Sequence, residues 1–320
     1  MATSYLVTGG CGFIGSHLVE ALISRGNHVR VLDNLSTGSI GNLPAGAMLQ
    51  RGDVSDPEDV RAAMEGVAGC FHLAAIASVE RSTNDWFGTH RTNLSGTIAV
   101  LDAARRRGGQ SPIPVVYASS AAVYGDNSDL PLRETAQPRP LSPYGADKYG
   151  SELHATIASE IHNVPTIGLR FFNVYGPRQD PRSPYSGVIS IFCDRLSRRQ
   201  PIDIFGDGSQ TRDFIFVTDV VKALLSAMQR AFECRGVFNV CSGKGVSILN
   251  LARLVADLCG CQAEVYFRPS RPGEIAHSYG DRTLVRRQLE LPRPVLLRSG
   301  LAATLAWAND DTRDERAGCS

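Results

Sequence analysis

The chain has almost no excess of either charge: 33 lysines and arginines stand against 32 aspartates and glutamates, a formal net charge of +1. So even a balance leaves no electrostatic footprint for a phosphate backbone, and nucleic acid is not an expected partner. The one basic run, Arg105 to Arg107, reads as a solvated helix end. No stretch approaches the roughly 20 apolar residues of a spanning helix, so no membrane partner is expected. A basic-then-apolar leader is missing as well; the first residues enter a strand pattern at once, and the expected location is the cytoplasm. Eight cysteines, Cys11, Cys70, Cys193, Cys234, Cys241, Cys259, Cys261 and Cys319, form no C-x-x-C and no paired spacing for zinc. They are expected to be buried reduced thiols, with no metal site. There is no internal repeat and no low-complexity tract. What is present is the composition of a compact soluble enzyme: 320 residues, 43% hydrophobic and 20% charged.

At the start of the chain, Tyr5 to Thr8 runs into Gly9, Gly10, Gly12 and Gly15, followed by an apolar-periodic helix carrying Phe13, Ile14, Leu18, Leu22 and Ile23. Gly10, Gly12 and Gly15 satisfy G-x-G-x-x-G, and Gly9, Gly12 and Gly15 the wider G-x-x-G-x-x-G. Either spacing puts glycine where backbone must approach a pyrophosphate held at a helix N-terminus. A second strand, His28 to Leu32, ends in Asp33, a carboxylate placed to accept hydrogen bonds from an adenosine ribose. That carboxylate would repel a 2′-phosphate, and Asn34 and Leu35 add no cation, so NAD is favoured over NADP. Arg30 is the one nearby cation that speaks for NADP.

Further short apolar runs at Met48 to Arg51, Gly69 to Leu73, Val115 to Ser119 and Thr166 to Phe171 alternate with longer amphipathic segments. This βαβ periodicity predicts an α/β fold, a doubly wound parallel sheet of the Rossmann type with ligands at the carboxyl ends of its strands. From Gly176 onward proline and glycine punctuate the sequence, which predicts a smaller C-terminal substrate-binding domain. The expected division is a dinucleotide-binding domain over 1–175 and a substrate domain over 176–320. The chain is expected to return once to the first domain, near 214–240, through Phe214 to Val217, Val220 to Arg230 and Val237 to Val240. The polar tail from Asn309 to Ser320 is expected to fray.

Tyr144 and Lys148 stand four residues apart, so on a helix their side chains share one face. Ser142 and Pro143 read as N-cap and first helical residue, which puts the pair in the opening turns of a helix starting near 142. A phenol with a pKa near 10 needs positive charge close by to act as a base. At an effective dielectric of about 20, a cation roughly 5 Å away contributes about 3 kcal/mol, or about two pKa units. Lys148 supplies one such cation, and an oxidised nicotinamide would supply a second.

These residues resemble one family along nearly the whole chain: the extended short-chain dehydrogenase/reductases, and within it the UDP-hexose 4-epimerases. The resemblance is carried by Thr8-Gly9-Gly10-Cys11-Gly12-Phe13-Ile14-Gly15, Asp33-Asn34-Leu35-Ser36-Thr37-Gly38, His72-Leu73-Ala74-Ala75, Ser119-Ser120-Ala121-Ala122-Val123-Tyr124-Gly125, Tyr144-Gly145-Ala146-Asp147-Lys148, Arg170-Phe171-Phe172-Asn173-Val174-Tyr175-Gly176 and Gly206-Asp207-Gly208-Ser209-Gln210-Thr211-Arg212-Asp213-Phe214. It implies that Ser120 and Tyr144 are the catalytic hydroxyl residues and that Lys148 binds the nicotinamide ribose and lowers the tyrosine pKa. It implies NAD contacts at Gly9, Gly12, Phe13, Ile14, Gly15, Asp33, Asn34, Ser36, Thr37, Gly38, Leu73, Ala74, Ala75, Ser119, Tyr144, Lys148 and Phe171, with Asp53 and Val54 at the adenine. For a UDP-sugar it implies Ser120, Tyr144 and Val188, with Asn173, Arg212 and Arg271 on the diphosphate, Phe205 facing the uracil and Glu274 on the uridine ribose.

Related dehydratases and decarboxylases need an acid or carboxylate just after the catalytic hydroxyl residue, where this chain has Ala121 and Ala122. Neither can protonate a leaving hydroxyl or assist elimination, so a 4-keto sugar has only reduction open to it. The implied cycle is epimerisation: Tyr144 takes the 4-hydroxyl proton, NAD takes the C4 hydride, the keto-sugar turns over, and the hydride returns to the other face. By the register from Arg271 to Asp281, the family's gatekeeper position is Ser278. A small residue there leaves room for an acetamido group. Together with His277, Gln179-Asp180-Pro181 and Ser183-Pro184-Tyr185-Ser186-Gly187-Val188-Ile189, it makes the chain look most like the UDP-N-acetylglucosamine 4-epimerases, with the unacetylated pair as a further substrate. Some glucose-type members carry a lysine after the alanine-rich strand end. Here Ala77 and Ser78 follow, and Ser78 is either a sugar contact or a helix N-cap.

Two other readings stay open: another nucleotide-sugar enzyme, such as a UDP-glucose or UDP-glucuronate 4-epimerase or a lyase, and a non-catalytic NAD-binding regulator. Glucuronate specificity would call for a cation at the sugar carboxylate, and the sequence does not place Arg81 or Arg182 there. Helices over Thr83 to Arg107 and Pro143 to His162 are expected to pair with their copies in a homodimer, by analogy with the family.

Overall fold

The computed structural model describes residues 2–105, 110–181, 187–270, 273 and 275–317, with side chains through residue 309. The first half runs β1 (Ser4–Thr8), α1 (Phe13–Ile23), β2 (His28–Asp33), β3 (Ala47–Arg51), α2 (Pro57–Met64), β4 (Gly69–His72), α3 (Val79–Asn84), α4 (Trp86–His90), α5 (Gly96–Ala104), β5 (Val115–Ser120), α6 (Pro143–His162) and β6 (Thr166–Phe171). The second half runs β7 (Asn173–Tyr175), α7 (Val188–Ser197), β8 (Ile202–Phe205), β9 (Thr211–Phe216), α8 (Val217–Gln229), β10 (Gly236–Val240), β11 (Gly245–Ser247), α9 (Ile248–Cys259), β12 (Val265–Arg268), β13 (His277–Ser278), α10 (Thr283–Gln288) and α11 (Leu297–Ala317).

Seven strands form one parallel sheet in the order β10-β6-β5-β4-β1-β2-β3. The strand order reverses between β1 and β4, and ligands of such sheets bind in the crevice beyond the carboxyl ends there. Side chains alternate along each strand, and that alternation builds two cores. Leu6, Leu32, Cys70, Val115 and Tyr117 pack with Val60, Val100, Leu101 and Ala155 of α2, α5 and α6. Val7, Val31, Phe71, Val116 and Leu169 face the other way, onto Leu18, Val19 and Leu22 of α1 and Val220 and Leu224 of α8. Burying each such side chain contributes about 1.5–3 kcal/mol.

The remaining strands lie apart from this sheet. β9 is paired antiparallel with β11 and parallel with β13 and β7, while β8 and β12 make a separate parallel pair. Within the segment expected to return, α8 packs on the main sheet and β10 forms its edge beside β6. β9 instead straddles the two halves, because Ile215 joins the core beneath α1 and α8 while Phe214 and Phe216 join a third core with Ile189, Phe192, Leu251 and Leu301.

The helix expected over Thr83 to Arg107 is broken. Asp85 caps α4 by accepting from the Gly88 amide at 3.0 Å, and a wide π turn at Arg91–Ser95 precedes α5. The end of the expected helix, Arg106 and Arg107, lies outside the described residues. The tail is helical through Ala317, in keeping with its arginine, glutamate and alanine content. All seven described cysteines are free thiols; Cys319 lies outside the described residues. Among the described residues, no helix is long and apolar enough to cross a membrane, and no cluster of His, Cys, Asp or Glu is arranged to hold a metal ion.

Candidate active site

The glycine turn between β1 and α1 is made for close approach. Gly9 has φ +70°, and a Cβ on Gly15 would sit 2.1 Å from the Gly9 carbonyl oxygen, so neither position accepts a larger residue. Gly12 begins α1 in an extended conformation with no side-chain cap, which leaves the first amides of the helix directed at the crevice. At the end of β2, Asp33 accepts from the Cys11 amide at 2.9 Å and from the Leu35 amide at 2.8 Å. Each oxygen keeps a lone pair for a ribose hydroxyl. Burial, then the charge of Asp33, pushes the Cys11 thiol up to about 12, so it stays protonated inside the turn. Arg30, the cation that spoke for NADP, donates at 2.8 Å to the carbonyls of Ala63 and Glu65 at the end of α2. Asp53 accepts from Asn34 at 3.0 Å and from the Ser55 amide at 2.8 Å. Burial would raise the Asp53 carboxyl, but these bonds and the charge of Arg91 outweigh it and hold the group below its usual range. The glycine cradle, the uncapped helix and the carboxylate together fit a dinucleotide.

Beneath Leu73, Ala74 and Ala75 lies a polar chain that sequence reasoning missed. Thr8 Oγ1 accepts from the Leu73 and Ala74 amides at 3.2 Å, so its own proton goes to His72 Nδ1 at 2.8 Å. The other ring nitrogen, Nε2, therefore donates to Thr97 Oγ1 at 3.1 Å. Burial, aided by Lys148, pulls the His72 pKa to about 3 and keeps the ring neutral. In the π turn, Asn93 bonds both the amide and the carbonyl of Ile76, at 2.8 and 3.2 Å. The one signal available in the sequence was the presence of Thr8, His72, Asn93 and Thr97 within otherwise apolar runs.

The expected catalytic residues meet where β5 ends and α6 begins. Ser142 caps α6 by accepting from the Gly145 amide at 3.1 Å, and Pro143 is the first helical residue, so Tyr144 lies at the positive end of the helix dipole. Lys148, one turn on, has Nζ 5.8 Å from the centre of the Tyr144 ring and donates to the Ala118 carbonyl at 3.0 Å. Ser120 Oγ accepts from the Ala122 amide at 3.1 Å, which leaves its proton for the Tyr144 oxygen. Burial raises the Tyr144 pKa, and the Ser120 bond works against that rise. Burial pulls Lys148 from 10.5 to about 8, with Asp147 acting in the opposite sense.

This triangle rests on buried ionic packing. Ser119 Oγ donates to Glu152 at 2.5 Å, and Arg170 clamps Glu152 through Nε and Nη2 at 2.8 and 2.6 Å. Arg170 Nη1 donates to the Tyr124 hydroxyl at 2.8 Å, which donates to Asn239 at 2.6 Å. Glu152 is one helical turn beyond Lys148 and Ser119 adjoins Ser120, so the network ties both sides of the triangle to β6 and β10.

A model of the NAD dependent epimerase/dehydratase family matches residues 5–241 of this chain. The chain belongs to that family. A putative UDP-glucose 4-epimerase of Methanocaldococcus jannaschii is 36% identical over 310 residues, which is 96% of this chain and 99% of that protein. The UDP-glucose 4-epimerase of Thermotoga maritima, solved with UDP-glucose, superimposes with a TM-score of 0.91 at 35% identity over 97% of this chain and 100% of that one. The UDP-N-acetylglucosamine 4-epimerase of Methanobrevibacter ruminantium, solved with UDP-N-acetylmuramic acid, gives 0.91 at 34% identity over 97% and 99%. Membership of this family makes NAD the cofactor.

The described residues expected at the sugar nucleotide come from several separate elements. Asn173 on β7 is paired with Phe214, and its Nδ2 donates to the Asp213 carbonyl at 3.2 Å. Arg212 on β9 is in register with Ser278 on β13. Phe205 closes β8, Val188 opens α7, and Ser78 caps α3 by accepting from the Arg81 amide at 3.0 Å. Arg271 and Glu274 lie outside the described residues, as do Arg182, Ser183, Pro184, Tyr185 and Ser186. A residue not foreseen organises this end. The Asp213 carboxylate, wholly buried, accepts from Ser242 N and Oγ, Gly243 N and Gly280 N at 2.6–3.3 Å, tying β9 to the turn after β10 and to the segment after Ser278.

Proposed function

We propose that this protein is an NAD-dependent UDP-sugar 4-epimerase and that its substrate pair is UDP-GlcNAc and UDP-GalNAc, with UDP-glucose and UDP-galactose as slower substrates. The observation that carries the reaction is the Ser120–Tyr144–Lys148 triangle with Ala121 and Ala122 beside it. Tyr144 takes the proton of the sugar 4-hydroxyl and later returns it. Ser120 donates to the phenolate and Lys148 holds a positive charge near it, while the helix dipole adds to both. NAD, when bound, supplies an acceptor and donor for the C4 hydrogen. No acid or carboxylate follows Ser120, so the chain offers nothing to expel a hydroxyl or release carbon dioxide.

For the sugar, the supporting feature is Ser278, a small residue in register with Arg212. An arginine gripping the diphosphate there would set the distance at which Ser278 meets the hexose. The UDP-glucose 4-epimerase relatives favour a second reading, in which the unacetylated pair is preferred. We assign the cofactor to 1–175 with the return segment near 214–240, and the UDP-sugar mainly to 176–320. Leu153, Ile157 and Ile161 make an exposed apolar stripe along α6, and Ile98 adds to it from α5, which supports a homodimer through these helices.

The decisive test is incubation of the purified protein, without added NAD, with UDP-GlcNAc and separately with UDP-glucose, followed by product analysis. Faster conversion of the acetylated sugar supports the proposal, and Ser278→Tyr should then reverse the preference. A 6-deoxy-4-keto product or carbon dioxide would refute the reaction assigned here.

A further inference from the structure

Five buried polar side chains, Thr8, His72, Asn93, Thr97 and Ser151, are linked by hydrogen bonds between the glycine cradle and α6, and none is more than 4% exposed. At one end, Thr8 Oγ1 holds the amides of Leu73 and Ala74, two of the residues expected at the NAD. A Cβ on Gly9 would lie 2.8 Å from the Ala74 backbone, so this loop is pressed against the cradle. In the middle, His72 joins Thr8 to Thr97. At the other end, Ser151 Oγ lies 3.2 Å from Thr97 Oγ1 and 2.9 Å from the Asp147 carbonyl, in the turn of α6 that carries Tyr144 and Lys148.

The protons of this chain have little freedom. Two amides occupy the lone pairs of Thr8, so its proton goes to His72 Nδ1, and Thr97 gives its own proton to the Asn93 carbonyl at 2.6 Å, so it accepts from His72 Nε2. Only the neutral ring with its proton on Nε2 completes both bonds. An apolar side chain of similar size would fill the same volume, but burial has no direction, whereas a hydrogen bond weakens steeply when its angle is lost. The chain therefore fixes how the loop stands relative to α6.

We propose, resting on the epimerase reading, that His72 is a positioning residue for the C4 hydrogen transfer: through Thr8 it sets the Leu73 and Ala74 peptides, and through Thr97 and Ser151 it ties them to the turn bearing Tyr144 and Lys148. It acts only through these partners and moves no proton itself. With the chain broken, loop and helix settle independently, and the acceptor and donor of the C4 hydrogen lose their alignment with Tyr144. The grip on the nucleotide lies elsewhere and is left as it was.

Thr97→Val tests this with almost no change of shape, since it removes the hydroxyl that receives His72 and Ser151. In NAD-loaded protein kcat should fall about ten- to a hundredfold while KM for the UDP-sugar stays within a few-fold of wild type. The isotope effect from deuterium at the sugar C4 should rise, because hydrogen transfer becomes the slow step. Thr97→Ser returns the hydroxyl and should recover most of kcat. His72→Leu, which cuts both bonds, should lose more. Hydrogen exchange at the Leu73 and Ala74 amides, followed without any sugar, should be faster in Thr97→Val and His72→Leu and close to wild type in Thr97→Ser.

Unchanged kcat in folded Thr97→Val overturns the proposal, and so does an equal loss in Thr97→Ser and Thr97→Val. A merely structural role would lower the melting temperature and leave kcat and the isotope effect alone. If His72→Leu does not fold, Thr97→Val stands for it; if neither folds, Ser151→Ala at the far end of the chain decides, and a wild-type kcat there sinks the idea. A protein that epimerises no UDP-sugar would refute the functional reading, whereas wild-type amide exchange in Thr97→Val and His72→Leu would refute this one.

Discussion

The end of the crevice proposed for the dinucleotide and the end proposed for the sugar are built on different plans. At the first, Ser120, Tyr144 and Lys148 stand on two adjacent elements, braced from below by Ser119, Glu152, Arg170, Tyr124 and Asn239, all in contact through short hydrogen bonds. At the second, Asn173, Arg212 and Ser278 come from three short strands joined by the Asp213 carboxylate, and Phe205 and Val188 from two further elements. The contrast matches what the proposed roles would require. Proton transfer demands a fixed geometry, because a misplacement of about 1 Å is enough to cost about a hundredfold in rate. A grip on a nucleotide gains from several separate contacts, any of which can be weakened without losing the chemistry. Breaking the first end should therefore lower kcat and stability, whereas breaking the second should raise KM.

The largest effect should come from Tyr144→Phe, which removes the oxygen proposed to transfer the proton and leaves the glycine cradle intact. A fall in kcat of about 10²- to 10⁴-fold is expected, with NAD still retained on gel filtration. Undiminished turnover would take Tyr144 out of the mechanism.

Next is Glu152→Ala, which strands the buried Arg170 guanidinium. Loss of about 3–5 kcal/mol in denaturant unfolding is expected, with Glu152→Gln milder. A variant as stable as wild type would show that the brace is dispensable and would erase half of the contrast.

Arg212→Ala tests the other end. If Arg212 holds the diphosphate as proposed, removing this charged hydrogen-bonding partner should raise KM about ten- to a hundredfold, since such bonds are worth about 1.5–3 kcal/mol, while kcat stays within a few-fold of wild type. A drop in kcat with KM unchanged would place Arg212 in the chemistry and blur the distinction between the two ends. The smallest effect is Ser142→Ala. Loss of the α6 cap should cost about 1 kcal/mol in thermal unfolding and little in NAD affinity.

Much of the fold was legible because it depends on local signals. The runs at Tyr5, His28, Met48, Gly69, Val115 and Thr166 all became strands of one sheet, since a parallel sheet covered on both faces needs continuous apolar segments. Ser142 and Pro143 marked the start of α6 because capping is decided by neighbours in sequence. The break in the helix after Asn84 was not legible. The π turn at Arg91–Ser95 lets Asn93 reach the Ile76 peptide, 17 residues away in the chain, and no local pattern encodes that. The sheet that β9 joins is not legible for a similar reason: Phe214, Ile215 and Phe216 are apolar in either sheet, and only the two cores they meet decide between them.

By itself, then, the order of residues determined the strand–turn–helix cradle, the shared face of Tyr144 and Lys148, and the absence of an acid after Ser120. Spacing along a strand or helix sets those directly, whatever surrounds them. The tertiary structure decided which charges survive burial: that His72 is neutral, that Arg170 is spent on Glu152, and that Asp147 meets His90. A charge inside a protein is governed by the solvent it loses and the partners it meets, and both are set by residues distant in sequence that only the folded chain brings together.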